Sequence, residues 1–107
     1  MGWKLVRDGN EAWCHANGVS GTWRKADPKE LKTALARKLI EEAIEYAEDN
    51  DISELFDVRD VLDALFAMLP AGALHEANIA HERKVADYGY FSDGIMWCPV
   101  PNAQGDD

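Results

Sequence analysis

Two helix starts lie close together in this chain, and they constrain it more than any other feature. In "ADPKE", residues 26–30, Asp27 can cap, Pro28 suits the first helical position and Glu30 completes a capping box. In "DISE", residues 51–54, Asp51 and Glu54 form a second box. Behind the first runs an apolar stripe of Leu31, Leu35, Leu39 and Tyr46. Behind the second runs Leu55, Val58, Val61, Leu62, Leu65 and Leu69, the pattern of a heavy core face. The spacing predicts helices from Asp27 to about Glu48 and from Asp51 to about Leu69, interrupted by "EDNDI" and ended by "PAG" at 70–72. Helices joined by so short a link should lie antiparallel. A weaker stripe, Leu74, Ala77, His81 and Val85, predicts a third helix to about Asp87.

The ends of the chain are less regular. Residues 1–26 hold three of the four tryptophans and show no helical period, which predicts an arm with a short strand or helical turn near Lys4–Arg7. Trp3, Trp13 and Trp23 are evenly spaced, but their neighbours do not match and no repeat is inferred. "YGYFSDGI" at 88–95 is rich in turn residues, and residues 96–107 read as a flexible tail. The expected architecture is all-α, an antiparallel helical bundle. Its single domain would span 1–95, with the arm at 1–26 and the helical core at 27–87.

A chain of 107 residues with 47% hydrophobic and 29% charged residues is long enough for one modest core. The longest apolar run, Ala64–Leu69, is too short to cross a bilayer, and "MGWKLVRD" meets charge too early for a secretory signal. Cys14 and Cys98 have no metal-ligand spacing, which suits a reducing cytoplasm and no disulfide framework. A net charge of −9 argues against binding a nucleic-acid polymer, which needs a basic surface. The charge is unevenly distributed. Eight of the eleven Lys and Arg residues lie between Lys4 and Lys38, and ten of the twenty acids lie between Glu41 and Asp63. That asymmetry suits a phosphate-bearing substrate held through a divalent cation, and it also suits internal charge balance.

The acids divide by direction. At about 100° per residue, Glu42 falls on the line of Leu35, Leu39 and Tyr46, with Glu45 beside it. Glu54 shares a line with Val58, Val61 and Leu65, and Asp57 shares one with Val61, Ala64 and Met68. Glu48, Asp60 and Asp63 point to solvent or flank Arg59. Four carboxylates are therefore expected in the groove between two packed helices. Two of them ~6 Å apart repel by roughly 3 kcal/mol at an effective dielectric near 20, so the set needs a counter-charge. A hard divalent cation, Mg²⁺ or Mn²⁺, takes such oxygen ligands. The plainer account stays open. Glu54 and Asp57 sit in a first helical turn, where the macrodipole favours acids, and Glu42 and Glu45 could pair with Lys38.

On these residues the chain resembles the all-α nucleotide pyrophosphohydrolases, MazG-like and phosphoribosyl-ATP-pyrophosphohydrolase-like. The EExxE signature is similar to Glu41-Glu42-Ala43-Ile44-Glu45, and ExxD one helix later to Glu54-Leu55-Phe56-Asp57. "KLVRD" at 4–8 and "KVADYGYF" at 84–91 resemble two further motifs of one branch, so the likeness reaches from Lys4 to about Ile95. Tyr88 and Tyr90 stand where that branch has arginine and glycine, and Gly9-Asn10-Glu11 stands where it has Lys-Ile-Pro. The resemblance implies Mg²⁺ or Mn²⁺ held by Glu42, Glu45, Glu54 and Asp57, with Glu41 as the base that prepares water. It places Lys38, Lys84, Lys4 and Arg7 against the triphosphate. The implied reaction is hydrolysis of a nucleoside triphosphate between the α- and β-phosphates, giving monophosphate and pyrophosphate.

Two other readings stay open: a pyrophosphohydrolase of phosphoribosyl-nucleotides, and a non-catalytic helical interaction module retaining a structural metal. So short a chain is expected to complete itself as a homodimer or higher homo-oligomer through the apolar face of its second long helix. Asn78 and His81 could touch substrate from the third helix. The tryptophans are expected chiefly in packing or interfaces. There is no nucleophile motif and no glycine-rich phosphate loop.

Overall fold

Helices account for all the regular structure in the computed structural model, which describes residues 2–100. They are α1 (Asn10–Ala16), α2 (Pro28–Asp49), α3 (Ile52–Ala67) and α4 (Ala71–Tyr88). The all-α expectation is met: no strand occurs among the described residues. The chain divides into two compact units, Met1–Pro70 and Ala71–Asp107.

The first unit is organised by the α2–α3 hairpin, whose ends follow from local chemistry. Asp27 is extended and its carboxylate accepts the Glu30 backbone N–H at 2.8 Å, while Pro28 occupies the first turn. At the other end Asn50 takes the left-handed conformation, φ 56°, and donates its N–H to the Tyr46 carbonyl at 2.7 Å. Asp51 restarts the chain, accepting the Ser53 N–H and hydroxyl at 2.9 Å each.

Neither capping box closes reciprocally. Glu30 turns instead to Arg24, which donates two bonds of 2.8 Å. The Asp51 side chain is taken by Ser53, so Glu54 is left to face the groove. In that hairpin Leu35, Glu42 and Val61 are buried, with Leu31, Leu39, Tyr46, Val58 and Leu65 half-buried between them.

The α3 stripe is narrower than the sequence suggests. Leu55, Leu62 and Leu69, expected in the core, are exposed, as is Phe66 at 50%. They lie about 80–140° round the helix from Val61, beyond the reach of the α2 contact. The predicted end near Leu69 moves back to Ala67, where Met68 and Leu69 donate to carbonyls three residues back.

The arm also differs from expectation. Residues 3–7 have no regular structure, and the helix falls later, at Asn10–Ala16. Seven residues are too few to show a period in sequence; tertiary contacts select this one. The segment after α1 turns at Gly18, φ 70°, and brings Trp23 back onto the helix. Trp23 Nε1 donates to Asn10 Oδ1 at 3.0 Å, the Cys14 thiol lies 3.8 Å from the same oxygen, and His15 meets the indole edge-on at 5.3 Å. A Cβ on Gly21 would come within 3.1 Å of that ring, so glycine permits its approach.

In the second unit, α4 has no buried residue. The expected inner stripe of Leu74, Ala77 and His81 is exposed, and only Val85 is half-buried. The predicted tail begins within the described residues, where Met96 and Trp97 are exposed; its remainder, 101–107, lies outside them.

The arm yields one expected outcome. In a Cys98→Ser background, Trp23→Ala should expose the buried Cys14 and cost about 2–3 kcal/mol of stability, somewhat under a fully buried tryptophan. Thiol titration with a chromogenic disulfide checks it: Cys14 should pass from slow to rapid reaction.

Candidate functional site

The α2–α3 groove is built by helical spacing. Leu35 and Glu42 stand two turns apart on one line of α2, so the burial that stabilises the leucine carries the glutamate inward, to 8% exposure. Lys38, one turn before it, places Nζ 3.6 Å from Glu42 and 3.5 Å from Glu41, a loose pair rather than close hydrogen bonds. Glu45 is half-buried. Opposite, on α3, Glu54 is half-buried and its Oε1 is covered, with no hydrogen-bond partner among the described residues.

Glu54 feels this environment most. Desolvation pushes its carboxyl pKa up, and the charges of Asp49, Glu45, Asp51 and Glu42 add to the effect. Those neighbours come from both helices, so three of the expected ligands, Glu42, Glu45 and Glu54, share one electrostatic environment. Asp57 faces the same groove but is held differently. Arg7 crosses from the arm and donates to Asp57 Oδ1 at 2.9 Å and to Asp60 Oδ2 at 3.0 Å. The hydrogen bond to Asp60 is the leading reason that Arg7 holds its proton more firmly than a free arginine. Asp60, expected to point outward or flank Arg59, is thus part of the site. Its signal was available, since it continues Glu54 and Asp57 at i, i+3 spacing. Arg59 lies instead over the Phe56 ring at 4.7 Å.

Two cavities of the first unit flank the arm. The larger, about 750 Å³, joins Lys4, Arg7, Lys38, Glu42, Asp57 and Asp60 with an apolar floor of Leu35 and Val61. The smaller, about 490 Å³, lies further round α2 and includes Glu41. The structure thus brings Lys4, Arg7 and Lys38 to the acids as a set. Glu41 sits on the rim, exposed. Lys84 is exposed on α4, in the other unit, as are Asn78 and His81.

Among the described residues, no three His, Cys, Asp or Glu side chains converge as a ready-made metal cage. What the groove offers a hard divalent cation is one covered carboxylate oxygen, Glu54 Oε1, without a hydrogen-bond partner among the described residues and near enough to Glu45 and Glu42 for their charges to raise its pKa. Glu42, Glu45 and Glu54 are the residues suited to hold it, with Asp57 available once Arg7 moves away. No family model matches the chain, and no curated protein or solved structure matches it either. The family resemblance therefore stands on its motif residues. No helix among those described is long and apolar enough to cross a membrane.

Glu54 makes a pH-dependent outcome testable. Its folded pKa is raised, so its contribution to stability is greatest when protonated, below the ordinary carboxyl range, and is lost as pH rises through the folded value. Glu54→Gln imitates the protonated form. In chelator, the variant should melt above the parent at neutral pH, and the gap should shrink on acidification. A gap that stays constant with pH would contradict the assignment.

Proposed function

We propose that this chain is a divalent-metal-dependent nucleoside triphosphate pyrophosphohydrolase, releasing monophosphate and pyrophosphate. The observation that carries this reading is the unpartnered Glu54 Oε1 in a groove already crowded by Glu42 and Glu45. Isolated negative charge so placed is costly, and a bound cation relieves it. Phosphoryl transfer to water asks for positioning and charge neutralisation rather than covalent help, and the groove carries both kinds of group.

The residues divide the work. Mg²⁺ or Mn²⁺, when bound, would neutralise phosphate charge and assist the attacking water. Glu42, Glu45 and Glu54 would hold it. Glu41 accepts the proton of that water as its oxygen bonds to phosphorus and the α–β bridging oxygen departs with pyrophosphate. Lys38, 3.5 Å from the Glu41 carboxylate, pairs with it and presents a cation to the phosphates. Lys4 and Arg7 add positive charge from the arm. A triphosphate arriving at Arg7 would draw it from Asp57 and leave that carboxylate free as a fourth ligand.

The phosphoribosyl-nucleotide alternative shares this chemistry and differs only in what is attached to the phosphates. The interaction-module reading has an observation in its favour: Lys38 and Arg7 already counter the charge of Glu42 and Asp57. Pyrophosphate release from a panel of ribo- and deoxynucleoside triphosphates with Mn²⁺ separates enzyme from module. Release is expected, and Glu42→Gln should abolish it. The parent should also melt higher with Mn²⁺ than with chelator, a difference that Glu42→Gln removes. Silence across the panel would favour the module.

Assembly is part of the proposal. Leu55, Leu62 and Phe66 form a contiguous exposed apolar face on α3, suited to a second copy of the chain. Light scattering behind size exclusion is expected to show a homodimer or larger species. Phe66→Glu with Leu62→Glu should reduce it to the mass of one chain.

A further inference from the structure

The smaller cavity carries chemistry that the acidic groove does not use. It lies about a quarter turn round α2 from Glu42 and is lined by Trp3, Lys4, Lys29, Arg37, Lys38 and Glu41, among others. Four cations border it in a chain whose net charge is −9. Among the described residues, Lys4, Lys29 and Arg37 have no salt-bridge partner, and Lys38 has only its loose pair. The acids at its edge are engaged: Asp27 caps α2, Glu30 holds Arg24 and Glu41 pairs with Lys38. Positive charge is therefore what the cavity offers a ligand.

Its aromatic wall is braced. Arg24 lies 4.4 Å from the Trp3 ring centroid, and Glu30 fixes that guanidinium through two bonds of 2.8 Å. Arg24 does not line the cavity, so the stack supports the indole from outside it. Trp3 remains 59% exposed. At about 490 Å³ the space falls within the ~300–1,000 Å³ usual for small-molecule sites. A cluster of unpaired cations beside a fixed aromatic face matches a phosphate-bearing molecule with a flat ring.

We propose that this basic cleft binds the nucleotide itself, its base against Trp3 and its phosphates on Lys4, Arg37 and Lys38, without any metal. This deepens the hydrolase reading, on which it rests for the choice of a nucleotide as ligand. Lys4 and Lys38 border both cavities, so phosphates held here lie next to Glu41 and the acidic groove. One chain thus separates two tasks: cations capture the substrate and acids hold the metal.

Calorimetric titration of the full-length protein with ADP in excess chelator tests it, since chelator removes any contribution from bound metal. Saturable binding is expected. Trp3→Ala should weaken it about tenfold or more, the size of losing one base–aromatic stack. Lys4→Gln with Arg37→Gln should abolish it, both side chains being exposed and their loss tolerable to the fold. Ribose 5-phosphate should bind more weakly than AMP. Absence of saturable binding in chelator, or binding indifferent to Trp3→Ala or to the cation pair, overturns the proposal. Hydrolysis without chelator-resistant binding would sink the cleft and spare the enzyme; binding without hydrolysis would do the reverse.

Discussion

The rest of this structure turns on the seam where α3 packs on α2 and covers a Glu54 carboxylate oxygen that has no hydrogen-bond partner among the described residues. Glu54 Oε1 is held there because α3 packs its Val61 line against α2, and Glu54 shares that line. Glu42 is carried inward the same way, one heptad after Leu35. Packing and charge therefore oppose each other along a single seam. The chain eases the conflict only in part. Lys38 stands near Glu42 and Arg7 grips Asp57, while Glu54 is left among acids, with its proton affinity raised by burial and by their field.

The arm determines which cations reach that seam. Its anchor is the cluster of Asn10, Cys14, His15 and Trp23 that locks α1 to the returning chain, and Asn10 also lines the larger cavity. From there residues 3–8 border both cavities, setting Arg7 and Asp57 on one side and Trp3 and Glu41 on the other. The exposed Arg7 bridges add little stability, as surface ion pairs do. Their value is directional. An arginine shared between two carboxylates can be traded for a stronger pairing with phosphate without unfolding anything.

The thin interior of the first unit bears on assembly. Among the described residues its buried apolar side chains are Cys14, Leu35 and Val61, whereas Ile40, Ile44, Leu62 and Phe66 stay exposed. Ile40 and Ile44 lie on the side of α2 opposite Leu35, so no movement within the hairpin could cover both faces. The proposed association would cover the α3 part of this area, Leu62 and Phe66.

Sequence alone determined the helical class, the starts of α2 and α3, and the inward direction of Glu42 and Glu54, because caps and helical periodicity act over three or four residues. Through family likeness rather than spacing it also set Lys4, Arg7, Lys38 and Lys84 against a triphosphate; the first three line one cavity with Glu42, Asp57 and Asp60, and Lys84 lies in the other unit. It misplaced α1, overstated the α3 core stripe and, though it left Asp60 exposed as found, missed the bridge from Arg7. Those features depend on contacts between residues far apart in the chain: Trp23 returning to Asn10, Arg7 reaching Asp57 and Asp60. Only the tertiary structure decided that Asp51 would bond Ser53 and leave Glu54 to the groove. Nearly equal local alternatives compete at such a cap, and the packing of α3 on α2 selects between them.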